Sequence, residues 1–193
     1  FLKGLAYKMK GDLTGAIQGF SSTIHDDGYF LPAFFERGNC YLIRENYRLA
    51  VFDFDRVLLI DSNFVPAYNN RAYARIRNYG DKENPVFQLK FAREDLKRGI
   101  QITQQRGQAP TFESYYNLGL VELFQSEYAA AASAFGVAIQ VNSQIAKSYY
   151  FRGASRFLNR EYELAAEDFK LAESMGFVSK DTPEFLRVIS LIE

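Results

Sequence analysis

The sequence contains no tryptophan, one histidine and one cysteine, and these scarcities exclude several classes of function. The single thiol, Cys40, cannot support an intramolecular disulfide framework and fits a reducing compartment, so we expect a cytoplasmic protein. The lone histidine, His25, lies beside Asp26 and Asp27, and no nucleophile or set of ligands at a metal-binding spacing accompanies it. We therefore expect no enzyme activity, no metal and no cofactor in this chain.

Net charge and long apolar runs are absent as well. The chain carries 23 basic and 23 acidic side chains, which argues against a nucleic acid as the main partner because phosphate binding needs a net basic surface. No apolar stretch approaches the eighteen residues of a membrane span, and no secretory signal is visible. The sequence opens at Phe1 inside a helical pattern, so we expect a piece of a longer protein.

What the chain does contain is a repeated pattern of small and large residues. A small residue is followed 12 to 20 residues later by an alanine, and four residues after that by a large apolar residue. The small residues, spaced by 34, 34, 47 and 34, are Gly4, Gly38, Ala72, Gly119 and Gly153. The pairs that follow them are Ala16 with Phe20, Ala50 with Phe54, Ala92 with Leu96, Ala131 with Phe135, and Ala165 with Phe169. A fixed period of this length predicts a stacked helical array.

The pattern resembles the tetratricopeptide repeat family, whose signature is W-x2-L-G-x2-Y, then A-x3-F, then P. The best copy reads Tyr115, Leu118, Gly119, Ala131 and Phe135. The family's closing proline is missing from every copy. The resemblance implies an all-α fold, a right-handed superhelical array of antiparallel helix pairs (a TPR-type α-solenoid).

Apolar spacing of three and four predicts the helices and the domain organisation. First helices are predicted near 1–10, 31–44, 65–78, 111–125 and 146–159, and second helices near 12–26, 47–60, 85–103, 128–141 and 162–174. Residues 1–177 then form five helix pairs, with an insertion in the third at about 79–111. Residues 178–193 start at Asp181-Thr182-Pro183 and carry an apolar stripe, which predicts a C-terminal capping helix. An array that continues beyond Glu193 is the alternative.

Arginine replaces the signature leucine before the small residue in three copies. An aspartate lies 16 residues after Arg37 and after Arg152, and 24 residues after Arg71, which is 16 plus the eight inserted residues. Where the arginine is Leu118, the aspartate is also lost. We therefore predict a bridge between the two helices of each of these pairs, Arg37 with Asp53, Arg71 with Asp95 and Arg152 with Asp168.

The resemblance also implies where a partner binds, because first helices line the concave groove of such arrays. The residues that it brings to the groove are Phe35, Asn39, Asn69, Asn70, Tyr73, Tyr116, Asn117, Leu120, Phe124 and Tyr150. An asparagine amide offers both a donor and an acceptor, so a row of them suits the backbone of an extended peptide. The aromatic members are expected to anchor the partner, with packing between repeats as the alternative for about half of them.

These features favour a non-catalytic scaffold that holds an extended or helical segment of another protein in its groove. Chaperone C-terminal tails are disfavoured, because the cationic positions of family members that grip such tails are Phe35, Glu113 and Asn117 here. Two alternatives stay open. The chain could be a structural segment of a large multisubunit assembly, or a targeting or regulatory module fused to an enzyme outside these residues.

Overall fold

The computed structural model describes residues 1–78 and 85–177, and within these ranges the chain forms ten α-helices. They are α1 (Leu2–Met9), α2 (Leu13–Asp26), α3 (Leu31–Ile43), α4 (Tyr47–Ile60), α5 (Val65–Arg77), α6 (Pro85–Gln105), α7 (Phe112–Phe124), α8 (Tyr128–Val141), α9 (Ala146–Leu158) and α10 (Tyr162–Ser174). The all-α prediction is confirmed, and every predicted helix is found within two residues of its expected ends. The predicted capping helix at 178–193 lies outside the described residues.

The chain divides into two compact units. The first, Phe1–Ile102, contains α1 to α5 and nearly all of α6, and the second, Thr103–Glu193, contains α7 to α10. Within each unit, helices that follow one another in the chain pack together as sequential pairs. Odd-numbered helices are the first members of their pairs and even-numbered helices are the second members.

Helix starts follow the signals in the sequence. Pro32 and Pro66 lie in the first turns of α3 and α5, where a missing N–H costs no hydrogen bond. Thr111 caps α7, because its side-chain oxygen accepts a hydrogen bond from the backbone N–H of Ser114 at 3.4 Å. These local choices agree with the packing that surrounds them.

The repeated small residue lies in close contact with the large apolar residue of the facing helix. A Cβ built on Gly38 would stand 2.8 Å from the ring of Phe54, and one built on Gly119 would stand 2.7 Å from the ring of Phe135. Real side chains do not tolerate such distances, so glycine is required under phenylalanine. The third pair carries alanine and the smaller leucine at the equivalent positions, Ala72 and Leu96, and both are fully buried.

The three predicted arginine–aspartate bridges are confirmed. The Arg37 guanidinium donates from Nε and Nη2 to the two carboxylate oxygens of Asp53, at 2.9 and 2.7 Å. Arg152 binds Asp168 in the same bidentate way at 2.9 and 2.6 Å, and Arg71 binds Asp95 through the same two nitrogens. The hydrogen bond to Asp53 raises the pKa of the Arg37 guanidinium. Burial raises the pKa of the Asp53 carboxyl, and the hydrogen bonds from Arg37 oppose that rise.

A second arginine, four residues later on the same helix, joins two of these bridges. Arg75 donates to Asp95, and Arg156 donates to Asp168 at 2.7 Å. Residues four apart on a helix lie on one face, so both guanidinium groups reach the same carboxylate. The sequence interpretation did not include these arginines, although their spacing of four was visible.

Side-chain turns replace the closing proline of the signature. The carboxylates of Asp27 and Asp61 and the amide oxygen of Asn142 accept the backbone N–H two residues ahead, at 2.9, 2.8 and 3.0 Å. These residues end α2, α4 and α8, and their spacings of 34 and 81 follow the repeat. These three links between one pair and the next are therefore made by Asx turns rather than by proline.

The turn inside the first, second, fourth and fifth pairs has a left-handed residue. Gly11, Glu45, Ser126 and Arg160 occupy the equivalent place and have φ values of 78°, 59°, 63° and 66°. The following N–H then reaches a carbonyl of the last helical turn, as from Asn46 to Tyr41 at 2.9 Å. Glycine adopts this backbone without a steric penalty, whereas the other three residues do not.

Replacing Asp53 by alanine should destabilise the protein far more than replacing Asp55. Asp53 is fully buried and holds Arg37, so its loss leaves a mostly buried guanidinium unpaired at a cost of about 3 kcal/mol. Asp55 is half exposed, and its loss should cost at most about 1 kcal/mol. Urea denaturation of both variants measures the difference in the free energy of unfolding, and equal losses would contradict the structural role of the Arg37–Asp53 bridge.

Replacing Glu45 by glycine should stabilise the protein. The left-handed backbone of Glu45 costs about 1–2 kcal/mol, part of which the backbone entropy of glycine offsets, so we expect a gain of roughly 1 kcal/mol. The control is Arg44→Gly, since Arg44 is also exposed but has a φ of −83° and should lose about 0.5–1 kcal/mol. Thermal unfolding of the two variants should move the midpoint in opposite directions; a shift downward in both would refute the prediction.

Candidate functional site

Two of the predicted asparagines meet in the first unit. Asn70 on α5 donates from Nδ2 to Oδ1 of Asn39 on α3 at 2.8 Å, and both side chains are half-buried. Neither amide makes another side-chain hydrogen bond within residues 1–78 and 85–177, so Nδ2 of Asn39 and Oδ1 of Asn70 keep their remaining capacity. One free donor beside one free acceptor is the complement of a peptide group. If the oxygen and nitrogen positions are exchanged in both amides, Asn39 becomes the donor and Asn70 the acceptor. The pair then still presents one free donor and one free acceptor.

A polar strip surrounds this pair on neighbouring first helices. Lys8 on α1 forms an ion pair with Glu36 on α3, with 2.5 Å between nitrogen and oxygen. Glu36 lies one helical turn before Asn39. Tyr73 lies one turn beyond Asn70 on α5, and 36% of its surface is exposed. Residues three apart on a helix are neighbours on its surface, so these five side chains are continuous across α1, α3 and α5. We call Lys8, Glu36, Asn39, Asn70 and Tyr73 the asparagine strip.

The other predicted members in this unit have different surroundings. Asn69 is half-buried next to the strip residue Asn70. Phe35 packs into the core beneath α3, with its ring centroid 5.9 Å from that of Phe54 and 5.0 Å from that of Phe64. Phe35 is half-buried and makes packing contacts, and its role in binding a partner stays a prediction.

The four predicted members on α7, in the second unit, are all buried. Tyr116, Asn117, Leu120 and Phe124 have 6%, 7%, 1% and 9% of their surface exposed. The Tyr116 ring stacks on Phe112 at 5.4 Å and meets Phe135 edge-on at 5.7 Å. Val121 and Leu123, on other faces of the helix, are also fully buried. These side chains offer a partner little surface in this conformation, so the strip in the first unit has the more accessible geometry.

Tyr150 lies at an aromatic cluster between α9 and the end of α10. Its ring is 5.4 Å from Phe169 and 4.8 Å from Phe177, and burial raises the pKa of its phenol to about 12. An open pocket of about 330 Å³ adjoins it, lined by Tyr150, Phe169, Ala172, Glu173 and Phe177. The lining is mainly apolar, so packing is the chief role of Tyr150 that these contacts indicate.

Residues that could carry chemistry are dispersed in the described part of the chain. Cys40 is fully buried, and burial raises the pKa of its thiol, which keeps it protonated and unreactive at neutral pH. The His25 side chain is 89% exposed. No three potential metal ligands converge anywhere in residues 1–78 and 85–177. In the same ranges, none of the helices combines the length and apolarity that crossing a membrane requires.

Comparison by sequence finds nothing: no protein-family model matches the chain, and no curated protein matches it. Comparison by structure finds many similar solved chains. The crystal structure of the MamA protein has 21% sequence identity and a TM-score of 0.75, and the match covers 90% of this chain and 87% of that one. MamA from Desulfovibrio magneticus RS-1, from residue 41 to its end, has 17% identity and a TM-score of 0.78 over 93% of each chain.

Two further solved structures carry the family name. YrrB, described as a TPR protein with an unusual peptide-binding site, has 16% identity and a TM-score of 0.72 over 97% of this chain and 88% of that one. TTC0263, a TPR protein of Thermus thermophilus, has 14% identity and a TM-score of 0.65 over 98% of this chain and 95% of that one. With ten helices in sequential pairs over residues 1–78 and 85–177, the chain has the fold of the tetratricopeptide repeat proteins.

Proposed function

We propose that the chain is a non-catalytic scaffold whose asparagine strip holds an extended or helical segment of a partner protein. The observation that carries this proposal is the Asn39–Asn70 pair, which presents an unused donor beside an unused acceptor on the face of the first helices. The fold supports it as well, because TPR proteins generally mediate protein–protein contacts. YrrB, of similar fold, is itself described by its peptide-binding site.

The hydrogen bond between the two amides orders them before a partner arrives. Each side chain is held by the other, so little rotamer entropy is lost when a peptide group docks on the pair. Each new hydrogen bond contributes about 0.5–1.5 kcal/mol, and because it is made to the backbone it does not depend on the partner's sequence. Tyr73 adds an aromatic surface one turn away, where a partner's apolar side chain can pack.

Charge determines which segments the strip prefers. The cation of Lys8 is neutralised by Glu36, so the strip has no net charge. A doubly charged carboxylate terminus needs unpaired cations at close range, and the strip supplies none. We therefore propose an uncharged or mixed segment as the partner rather than an acidic tail.

The variant Asn39→Ala/Asn70→Ala should lose peptide binding and keep its fold. Peptides selected by the native protein from a random displayed library are synthesised with a fluorophore, and anisotropy gives their Kd. Removing two backbone hydrogen bonds should raise Kd by about tenfold or more. The midpoint of thermal unfolding should move by only a few degrees, because one half-exposed hydrogen bond is lost.

Two controls make this result specific. Asn46→Ala changes an exposed asparagine at the start of α4 and should leave Kd unchanged. N-methylation of single peptide bonds should abolish binding at one or two positions of the ligand, where the amide pair contacts its backbone. A failure to select any peptide, or an unchanged Kd for the double variant, would reject the asparagine strip as the binding site.

A structural role in a larger assembly is the second candidate, and α4 provides the observation that favours it. Leu49, Phe52 and Leu59 are 48%, 57% and 70% exposed and lie on one side of this helix. Large apolar side chains grouped on one exposed helix face are typical of surfaces that another protein covers. These residues are on a second helix, away from the first-helix positions of the asparagine strip.

Capture from native extract separates the two candidates. The native protein, Phe52→Gln/Leu59→Gln and Asn39→Ala/Asn70→Ala are immobilised side by side, and the captured proteins are identified by mass spectrometry. The α4 variant keeps its core, so it should retain the native thermal midpoint. A protein that is lost only with the α4 variant would favour the structural role in a larger assembly. A protein that is lost only with the asparagine variant binds at the asparagine strip, and the structural role is excluded for that protein.

A further inference from the structure

The arginine bridges are not equivalent, and the difference lies in the third nitrogen of each guanidinium group. Nη1 of Arg37 donates to the hydroxyl of Ser21 at 2.9 Å, and Nη1 of Arg71 donates to the carboxylate of Asp55 at 2.6 Å. Each of these acceptors lies 16 residues before its arginine, on the second helix of the preceding pair. The repeat therefore has a dedicated position that completes the hydrogen bonding of the arginine.

In the second unit, the residue at this position is a glycine and has no side chain. Sixteen residues before Arg152 stands Gly136 on α8, and a Cβ built there would have no described atom within 4 Å. Nη1 of Arg152 consequently has no acceptor among the described residues, while Nε and Nη2 bind Asp168. Among the described residues, no side chain supplies an acceptor to Nη1 of Arg152 as Ser21 does to Arg37 or Asp55 does to Arg71.

A second guanidinium faces the same carboxylate. Arg156 donates only Nη1 to Asp168, at 2.7 Å, so its Nε and Nη2 have no acceptor in the described part of the chain. In the first unit, Arg71 and Arg75 are balanced by Asp55 and Asp95. In the described part of the second unit, Arg152 and Arg156 share the one carboxylate of Asp168, so the described ion pairs balance only one of their two positive charges.

We propose that Gly136, Arg152 and Arg156 form a binding site for a carboxylate, the side chain of an Asp or Glu of a partner protein. The carboxylate takes the place that Asp55 occupies in the first unit, accepts from Nη1 of Arg152 and balances the second charge. The side chains of Arg152 and Arg156 are 20% and 21% exposed, so they are accessible but partly shielded from water. Charge-assisted hydrogen bonds of this kind are about twice as strong as neutral ones.

This site is independent of the asparagine strip, since its residues lie in the second unit. It also differs in chemistry, because the strip recognises a backbone and this site recognises an anion. The bridge with Asp168 holds both arginines in position before the ligand arrives. A carboxylate therefore meets ordered donors rather than mobile side chains, which lowers the entropic cost of binding.

Gly136→Asp tests the proposal, with Gly136→Asn as its matched control. The new aspartate should reach Arg152 as Asp55 reaches Arg71, and so occupy the site from within the chain. Asparagine has the same shape without the charge, and both residues change the helix propensity of α8 similarly. We expect Gly136→Asp to unfold at a higher temperature than Gly136→Asn at low salt, and we expect the gap to shrink at high salt.

Binding is followed through the Nε–H signals of arginine in ¹⁵N spectra of the native protein and both variants. Sodium acetate is titrated against sodium chloride at constant ionic strength, and the peptide Ac-Gly-Asp-Gly-NH2 is titrated against its Asn counterpart. The signals of Arg152 and Arg156, assigned from Arg→Lys variants, should shift saturably with acetate and with the aspartyl peptide. Gly136→Asp should weaken both by about tenfold or more, and Gly136→Asn should not.

The two ligands distinguish the sources of the carboxylate. Tighter binding of the aspartyl peptide than of acetate supports a partner's side chain, whereas tighter binding of acetate overturns that assignment in favour of a small free carboxylate. Equal shifts with chloride and acetate would overturn the site altogether. Native-like titration of Gly136→Asp would do the same, because an occupied site cannot bind a second carboxylate.

Discussion

The close contact between a phenylalanine ring and a glycine on the facing helix is the constraint on which the helix pairs depend. With no Cβ on Gly38, the ring of Phe54 lies directly on the backbone of α3, and the same contact recurs between Gly119 and Phe135. This contact fixes both the distance between the two helices and their register. Positions 16 residues apart then face each other in every pair without the insertion. The positions directly before the glycine and the phenylalanine, such as Arg37 and Asp53, can therefore hold a bidentate ion pair. The geometry of the arginine–aspartate bridges therefore depends on the packing of phenylalanine against glycine.

The arginine–aspartate bridges illustrate how a buried charge becomes compatible with that packing. Asp53 is fully buried, and its two oxygens are both bound by Arg37, so neither charge is left unpaired. The third nitrogen of the arginine needs an acceptor from the preceding pair, which couples neighbouring repeats as well as the helices within one. At Gly136, where no described residue supplies this acceptor, we propose that the same arrangement binds an external carboxylate.

Recognition of a protein segment, as we propose it, relies on a different property of the first helices. Asn39 and Asn70 are close enough to order each other, and the bond between them does not use the amide nitrogen of Asn39 or the amide oxygen of Asn70. The ion pair of Lys8 with Glu36 leaves the surroundings of the amides without net charge. In this proposal the ligand is therefore selected by hydrogen bonds to the amides and not by its charge. Exposed apolar side chains on α4 represent a second surface, of the kind that an assembly would cover. The two surfaces lie on different helices and are separable by mutation.

Local and periodic information was sufficient for the helices, the small-residue contacts and the bridges. Each helix depends on apolar spacing and on caps within a few residues of its ends. Each bridge depends on two positions at a constant separation. Both can therefore be predicted from a single sequence. The exposure of the groove residues was not legible in this way. Periodicity assigns Tyr116, Asn117, Leu120 and Phe124 to the same face as Asn39 and Asn70, but the structure buries the former set and leaves the latter half-exposed. Burial depends on which other helices and loops come to lie against a face, and that is a property of the tertiary structure. The repeat, its helices and its ion pairs follow from fixed spacings along the chain, so one sequence is enough to predict them. The accessibility of the polar side chains depends on contacts between neighbouring pairs, and these contacts exist only in the folded protein.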